Sequence, residues 1–162
     1  MSIMMALEES RNHSISRLCH SAVAFQVMGS VTAQSIPNDQ TTILNTCLTI
    51  KSLDTHNGWD ATNKRYVVQV SGKYHIYGCV CLPLGLGSHA GWDQRWAAVF
   101  KNGVQQIQGN SACNLSGVSP MIECVLDLVV GDYIQLGVYQ CSGQAMDAKW
   151  ANTNFSAFCV GL

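Results

Sequence analysis

The side chains equipped for chemistry are few and scattered along the chain. His75, Cys79 and Cys81 fall on alternate positions of one run, KYHIYGCVC, and are the first metal-ligand candidates. Zinc takes about four donors converging tetrahedrally at roughly 2.0–2.3 Å. Side chains two apart on a strand point in parallel, so these three spread out rather than close on one ion. Small apolar filler on a covered face is the plainer reading, and no metal site is assigned. Asp54, His56 and Asp60 share the segment 52–64, and Ser88-His89 lies in another. A nucleophile, base and orienter need mutual hydrogen bonds and an oxyanion site, and no nucleophile motif accompanies these residues. They read as solvated loop groups, and no residue is assigned a catalytic role. The run PLGLGSHAG, residues 83–91, is glycine-rich but has no Gly-Lys-Ser/Thr leading into a helix. It reads as a flexible connection, so no nucleotide and no other cofactor is expected.

Four tryptophans remain: Trp59, Trp92, Trp96 and Trp150. Trp92 stands beside Asp93, and Trp150 lies two residues before Asn152. An exposed Trp beside Asp or Asn can stack on a sugar or anchor an interface. Trp92, Asp93, Trp150 and Asn152 are therefore ligand-loop candidates, with packing over a loop as the plainer alternative.

The composition sets what must position these residues. Of 162 residues, 48% are apolar and only 12% charged, with a net charge of −1. Soluble domains carry about 25% charged residues, so this surface is short of solvated side chains and extensive subunit contact is expected. Near-neutrality removes the attraction on which nucleic-acid and polybasic membrane binding rest. No run approaches the roughly 18 apolar residues of a membrane span, so no membrane insertion is expected. The first twenty residues include Glu8, Glu9, Arg11 and Arg17 and lack the roughly 7–15-residue apolar run of a secretory signal. Eight cysteines occur with no CxxC pair, and reduced thiols are the expected state.

Residues 1–23 have no period of two and only a weak helical one, so they are expected to form an N-terminal arm outside the core. Residues 24–162 form the globular domain. Ten strands are predicted, over 24–30, 42–51, 66–70, 72–82, 95–101, 104–108, 111–117, 121–128, 133–139 and 154–160. Asn102-Gly103 is a two-residue hairpin signal because both residues tolerate positive φ. Gly131-Asp132 predicts another tight turn, and Ser71-Gly72 a reversal between two aromatic-rich runs. No segment keeps an apolar 3.6 period long enough for a core helix. The expected class is all-β, an antiparallel jelly-roll sandwich. Parity puts Tyr74, Ile76, Gly78, Val80 and Leu82 on one face of their strand, and His75, Tyr77, Cys79 and Cys81 on the other. Both faces are largely apolar. A two-sheet sandwich covers only one of them, so a second subunit or the arm must cover the other.

From Trp59 the spacing becomes specific. WDATNKRYVVQVSGKYHI places Trp59, Tyr66, Gly72 and Tyr74 as in the globular head of complement component one-q, which shares its jelly roll with tumour necrosis factor. AAVFKNG resembles that family's Asn-Gly hairpin, and VLDLVVGDYIQL its "Leu-x-Leu-x-x-Gly-Asp-x-Ile/Val-x-Leu" pair. FSAF, from Phe155 to Phe158, resembles its closing strand, with Ala157 where Gly is usual. Ala24-Phe25 fits its first strand, and Ile76 stands where Phe is favoured. The four pieces lie in the family's order and cover about residues 24–162. The resemblance implies a homotrimer whose apolar sheets meet on the threefold axis. Trp59, Tyr66, Tyr74, Tyr77, Phe155 and Phe158 are then core or trimer candidates. The family's calcium site is not carried over, because Asp93, Asp132 and Asp147 are scattered singles.

Secreted animal members carry a signal peptide and a collagen-like stalk, which this sequence lacks. The stalkless form is similar to members encoded by bacteriophages. The resulting expectation is a structural virion protein: a trimeric capsid decoration or cement protein on the virion surface, made in the host cytoplasm. Its N-terminal arm would grip the major capsid protein through Ile3, Met4, Met5 and Leu7. The alternative is the receptor-binding tip of a tail fibre, docked on a tail shaft protein and recognising host glycan or protein. A lectin-like immune recognition protein is a weaker third reading. No enzyme is expected.

Overall fold

The computed structural model describes residues 22–83, 94–109, 119–148 and 152–161. They form two facing antiparallel sheets and a short ribbon, with no helix among them. The strands are β1 (Ala24–Gly29), β2 (Gln34–Ile36), β3 (Gln40–Ile43), β4 (Leu48–Asp54), β5 (Trp59–Asp60), β6 (Arg65–Val67), β7 (Gly72–Cys79), β8 (Arg95–Lys101), β9 (Val104–Gln108), β10 (Met121–Leu128), β11 (Tyr133–Gln140), β12 (Met146–Ala148) and β13 (Asn154–Gly161). One sheet runs β10-β7-β13-β1-β4. The other runs β5-β6-β11-β8-β9, with β3 also paired to β11, and β12 pairs with β2. This is the expected jelly roll, with thirteen strands among the described residues where ten were expected.

The extra strands have two causes. The pieces β2, β5 and β12 span two or three residues each, too short to show a period of two. The expected strand over 42–51 is broken into β3 and β4, which belong to different sheets. Its β-branched content suits a strand throughout, but the burial does not alternate: Leu44, Cys47 and Leu48 are all buried. Between them the Gln34 amide clamps the crossing. Its Oε1 accepts from the Asn45 and Thr46 amides at 2.8 and 2.9 Å, and its Nε2 donates to the Ile43 carbonyl. Ser71-Gly72 is likewise a crossing between sheets rather than a hairpin. A Cβ on Gly72 would lie 2.5 Å from the Gly161 carbonyl oxygen, so only glycine fits there. The strand expected over 111–117 and the arm over 1–21 lie outside the described residues.

The core fills the gap between the sheets. Phe25, Val27, Tyr74, Ile76, Phe155 and Ala157 point inward from one sheet, and Tyr66, Val99, Ile134, Leu136 and Val138 from the other. Alternation along β7 from Tyr74 to Gly78 follows the parity expected from sequence. One end of the core is aromatic. Phe25 stacks on Tyr66 at 4.2 Å between ring centroids, meets Phe155 edge-on at 5.2 Å and lies 6.1 Å from Trp59. Burying this apolar area is the dominant stabilising term, at about 25 cal/mol per Å² removed from water.

The turns are held by side chains. Asn102 and Gly103 take φ of 52° and 80°, as a two-residue hairpin between β8 and β9 requires. The Asn102 amide donates to Asp132 Oδ1 at 2.7 Å, and its Oδ1 accepts from the Tyr133 amide at 2.9 Å. Asp132 also accepts from the Val129 amide and pairs with Lys101 at 2.9 Å. Burial raises the Asp132 carboxyl, but the Val129 amide, Lys101 and Asn102 outweigh it and hold the group at about 2. The β8–β9 hairpin is thereby fastened to the turn that carries the chain from β10 in one sheet to β11 in the other. Asn102→Ala removes both side-chain bonds and a residue at ease with positive φ. The expected loss is about 1–3 kcal/mol, read as a lower thermal midpoint with the fold retained.

Candidate functional site

The chemistry-bearing residues are structural in their settings. Asp54 accepts from the backbone amides of Gly58 and Trp59 at 2.9 and 3.1 Å, closing the turn before β5. His56 Nδ1 lies 2.8 Å from Thr55 Oγ1, but that hydroxyl is already engaged with the carbonyls of Ala22 and Ala24. Among the described residues no three His, Cys, Asp or Glu side chains converge on a metal position. His75 turns its Nε2 to Glu123 Oε1 at 2.6 Å, while Cys79 is buried and Cys81 half-buried. The six described cysteines are free thiols. Burial pushes the thiols of Cys47 and Cys124 up to about 11. Ser88, His89, Trp92, Asp93, Trp150, Ile3, Met4, Met5 and Leu7 lie outside the described residues. Asn152 is exposed in a turn, where its carbonyl accepts from Asn154 Nδ2.

The six core or trimer candidates divide by face. Tyr66, Tyr74 and Phe155 are fully buried between the sheets, with Trp59 partly buried against them. Tyr77 and Phe158 sit on the opposite, outward face of the five-stranded sheet. Register places Val125, His75 and Phe158 in one row across β10, β7 and β13, with the His75 and Phe158 rings 4.9 Å apart. A second row runs Met121, Cys79, Asn154, Met28 and Ile50. Between them lie Glu123, Tyr77, Ser156, Gln26 and Leu53. Phe158 is 49% exposed, Val125 54%, Met121 55% and Leu53 46%. Large apolar side chains thus stand in water on β10, β13 and β4, with half-buried Tyr77 and Met28 on the strands between them. Scattered exposed apolar residues are ordinary, but several gathered on one face of a sheet mark a contact surface. Two polar pairs, His75–Glu123 and Lys73–Asp127, also lie on this face, on β7 and β10.

A second surface lies on the outward face of the six-stranded sheet, and sequence reasoning missed it. Both β6 and β3 pair with the same edge of β11. Tyr66 pairs with Ile134, and Leu44 donates to the Leu136 carbonyl at 2.8 Å. The two segments part at Gln135, leaving an open groove of about 540 Å³. Arg65 and Tyr133 project into it from one side, with Asn45 and Thr46 on the other. The Arg65 guanidinium lies over the Tyr133 ring at 4.6 Å from its centroid, and Arg65 Nε donates to Asp60 Oδ2 at 2.9 Å. The Asn63 side-chain and backbone donors, with Arg65 and Thr62 behind them, hold the Asp60 carboxyl at about 2. The only sequence signal for this site was alternation, which turns Arg65, Tyr133 and Gln135 outward. No spacing pattern joins segments so far apart in the chain.

Known structures resemble this chain in shape far more than in sequence. A crystal structure of murine APRIL at pH 8.0 superposes with a TM-score of 0.62 at 14% identity, covering 86% of this chain and 100% of that one. A crystal structure of murine APRIL at pH 5.0 gives 0.60 at 14% identity, over 86% of this chain and 100% of that one. These likenesses show the fold, a jelly roll of the tumour necrosis factor type. No protein-family model matches the sequence, and no curated protein does.

Proposed function

We propose that this chain is a non-enzymatic structural and binding module that works as a homotrimer. It buries the outward face of its five-stranded sheet on the threefold axis and decorates a virion surface. The observation that carries the self-association is the group of exposed apolar side chains on β10, β13 and β4 of one sheet face. A monomer would leave Phe158, Val160, Val125 and Leu53 hydrated, at a cost of about 25 cal/mol per Å². The resemblance supports the same reading, because it implies a homotrimer whose apolar sheets meet on the threefold axis. Sparse surface charge, 12% of residues, supports it again. The virion setting extends the resemblance to members encoded by bacteriophages, with the capsid as partner and residues 1–23 as the clamp.

The test is a copy count. Particles that carry the protein are purified, and its copies are measured against the major shell protein by quantitative mass spectrometry. Copies in the hundreds, in multiples of three, are the expected result. Absence from every particle would sink the virion setting.

A further inference from the structure

We infer that the groove between β3 and β6 is a binding site for a saccharide that carries a single carboxylate. Arg65 is the fixed cation of the groove. Its Nε is committed to Asp60 and its plane rests on Tyr133, which fixes the guanidinium without using its two terminal nitrogens. Those terminal N–H groups form the planar fork that binds a carboxylate with two parallel bonds. Arg65 is the one charged residue among those lining the groove. Asp60 behind it keeps the local balance near neutral, so the site suits one anionic group rather than a polyanion.

The remaining lining matches hydroxyl groups. Asn45 keeps its amide nitrogen unengaged, because only its Oδ1 is used, by Thr46. Gln135 uses its Nε2 on the Asn63 carbonyl and keeps Oε1 for a donor. The Thr62 side chain adds a hydroxyl at the rim. Donors and acceptors thus surround one fixed cation, the complement of a sugar ring bearing a carboxylate. Ile43 is the lone aliphatic residue of the lining. A peptide ending in a carboxylate would need an apolar pocket for its side chain, and the groove lacks one.

The site is also rigid. Gln34 holds the Asn45–Thr46 backbone on one side, and Asp60 holds the Thr62–Asn63 backbone on the other. Little ordering is therefore lost on binding. The groove faces away from the five-stranded sheet, so it stays open whether or not that sheet is covered, and the inference does not rest on the trimer.

Saturation-transfer NMR on the full chain is the test, with galacturonate and glucuronate against galactose and glucose at millimolar concentration. Both uronates are expected to bind, at least about tenfold more tightly than their neutral counterparts, and to weaken with added salt. Arg65→Gln should lower uronate affinity about tenfold or more. Because Arg65 also fastens the β5–β6 turn, Asn45→Asp provides a second variant. It leaves the Arg65–Asp60 pair intact, places a like charge at the rim, and should weaken binding similarly. Equal affinity for acid and neutral sugars would overturn the proposal. So would no transfer from any of the four, undiminished binding by both variants, or a preference for acetyl-Gly-Gly over the uronates.

Discussion

In the proposed homotrimer, Phe158→Asp is expected to leave monomers of 17.6 kDa, seen as a single species by light scattering or sedimentation. Phe158 stands in the middle of the exposed row on β13, flanked by His75 on β7 and Ala24 on β1. Full burial of a phenylalanine contributes about 1.5–3 kcal/mol, and a threefold interface loses that in each of three copies. The carboxylates introduced would also be taken out of water three to one threefold axis, which costs several kcal/mol more for each ion. Together these terms exceed the few kcal/mol that separate micromolar from millimolar association. Secondary structure should survive, because Phe158 contributes nothing to the inter-sheet core. Val104→Asp is the matched control: Val104 is 63% exposed on β9 of the other sheet, and its variant should remain trimeric. A wild-type chain that stays monomeric at tens of micromolar would refute the self-association reading.

Phe25→Ala is expected to act on the fold rather than on assembly. Phe25 is 1% exposed and joins both sheets, with Tyr66 stacked on one side and Phe155 edge-on. Truncation loses the transfer energy of the ring and leaves a cavity that rigid strands cannot close, about 3–5 kcal/mol in all. Each lost aromatic pair adds about 0.5–1.5 kcal/mol within that range. Against a total stability of about 5–15 kcal/mol, this is the most damaging single truncation expected in the domain. It should appear as a lower urea midpoint with an unchanged slope. Phe25→Leu, which refills much of the volume, should recover more than half of the loss. A Phe25→Ala protein as stable as wild type would refute the role assigned to this cluster.

The contrast between these two phenylalanines shows how far residue patterns reach. Phe155 and Phe158 lie three apart in one strand, so parity alone sends them to opposite faces. Phe155 is fully buried and Phe158 half exposed, as the period of two requires. The same rule placed Tyr74 and Ile76 inward and His75 and Tyr77 outward on β7. Asn102-Gly103 was equally plain, because positive φ at two successive positions selects those residue types. Such features are local: a pleat, a turn, an alternation, each complete within a few residues.

What the sequence determined by itself was therefore the class, the Asn102-Gly103 hairpin, and the existence of a strand apolar on both faces. Tertiary structure decided what depends on contacts between distant segments. The break between β3 and β4 is one case. Nothing in TILNTCLTI marks the change of sheet, which is set by burial of Leu44 and Cys47 on one turn and by the reach of Gln34 from another segment. The Arg65 groove is the other. Its walls come from β3, β6 and β11, and it exists because two strands share one edge of a third and diverge at Gln135. Pairing register and strand divergence are properties of the assembled sheet. No local period or spacing carries them, so only the folded chain brings Arg65, Tyr133 and Asn45 to one place.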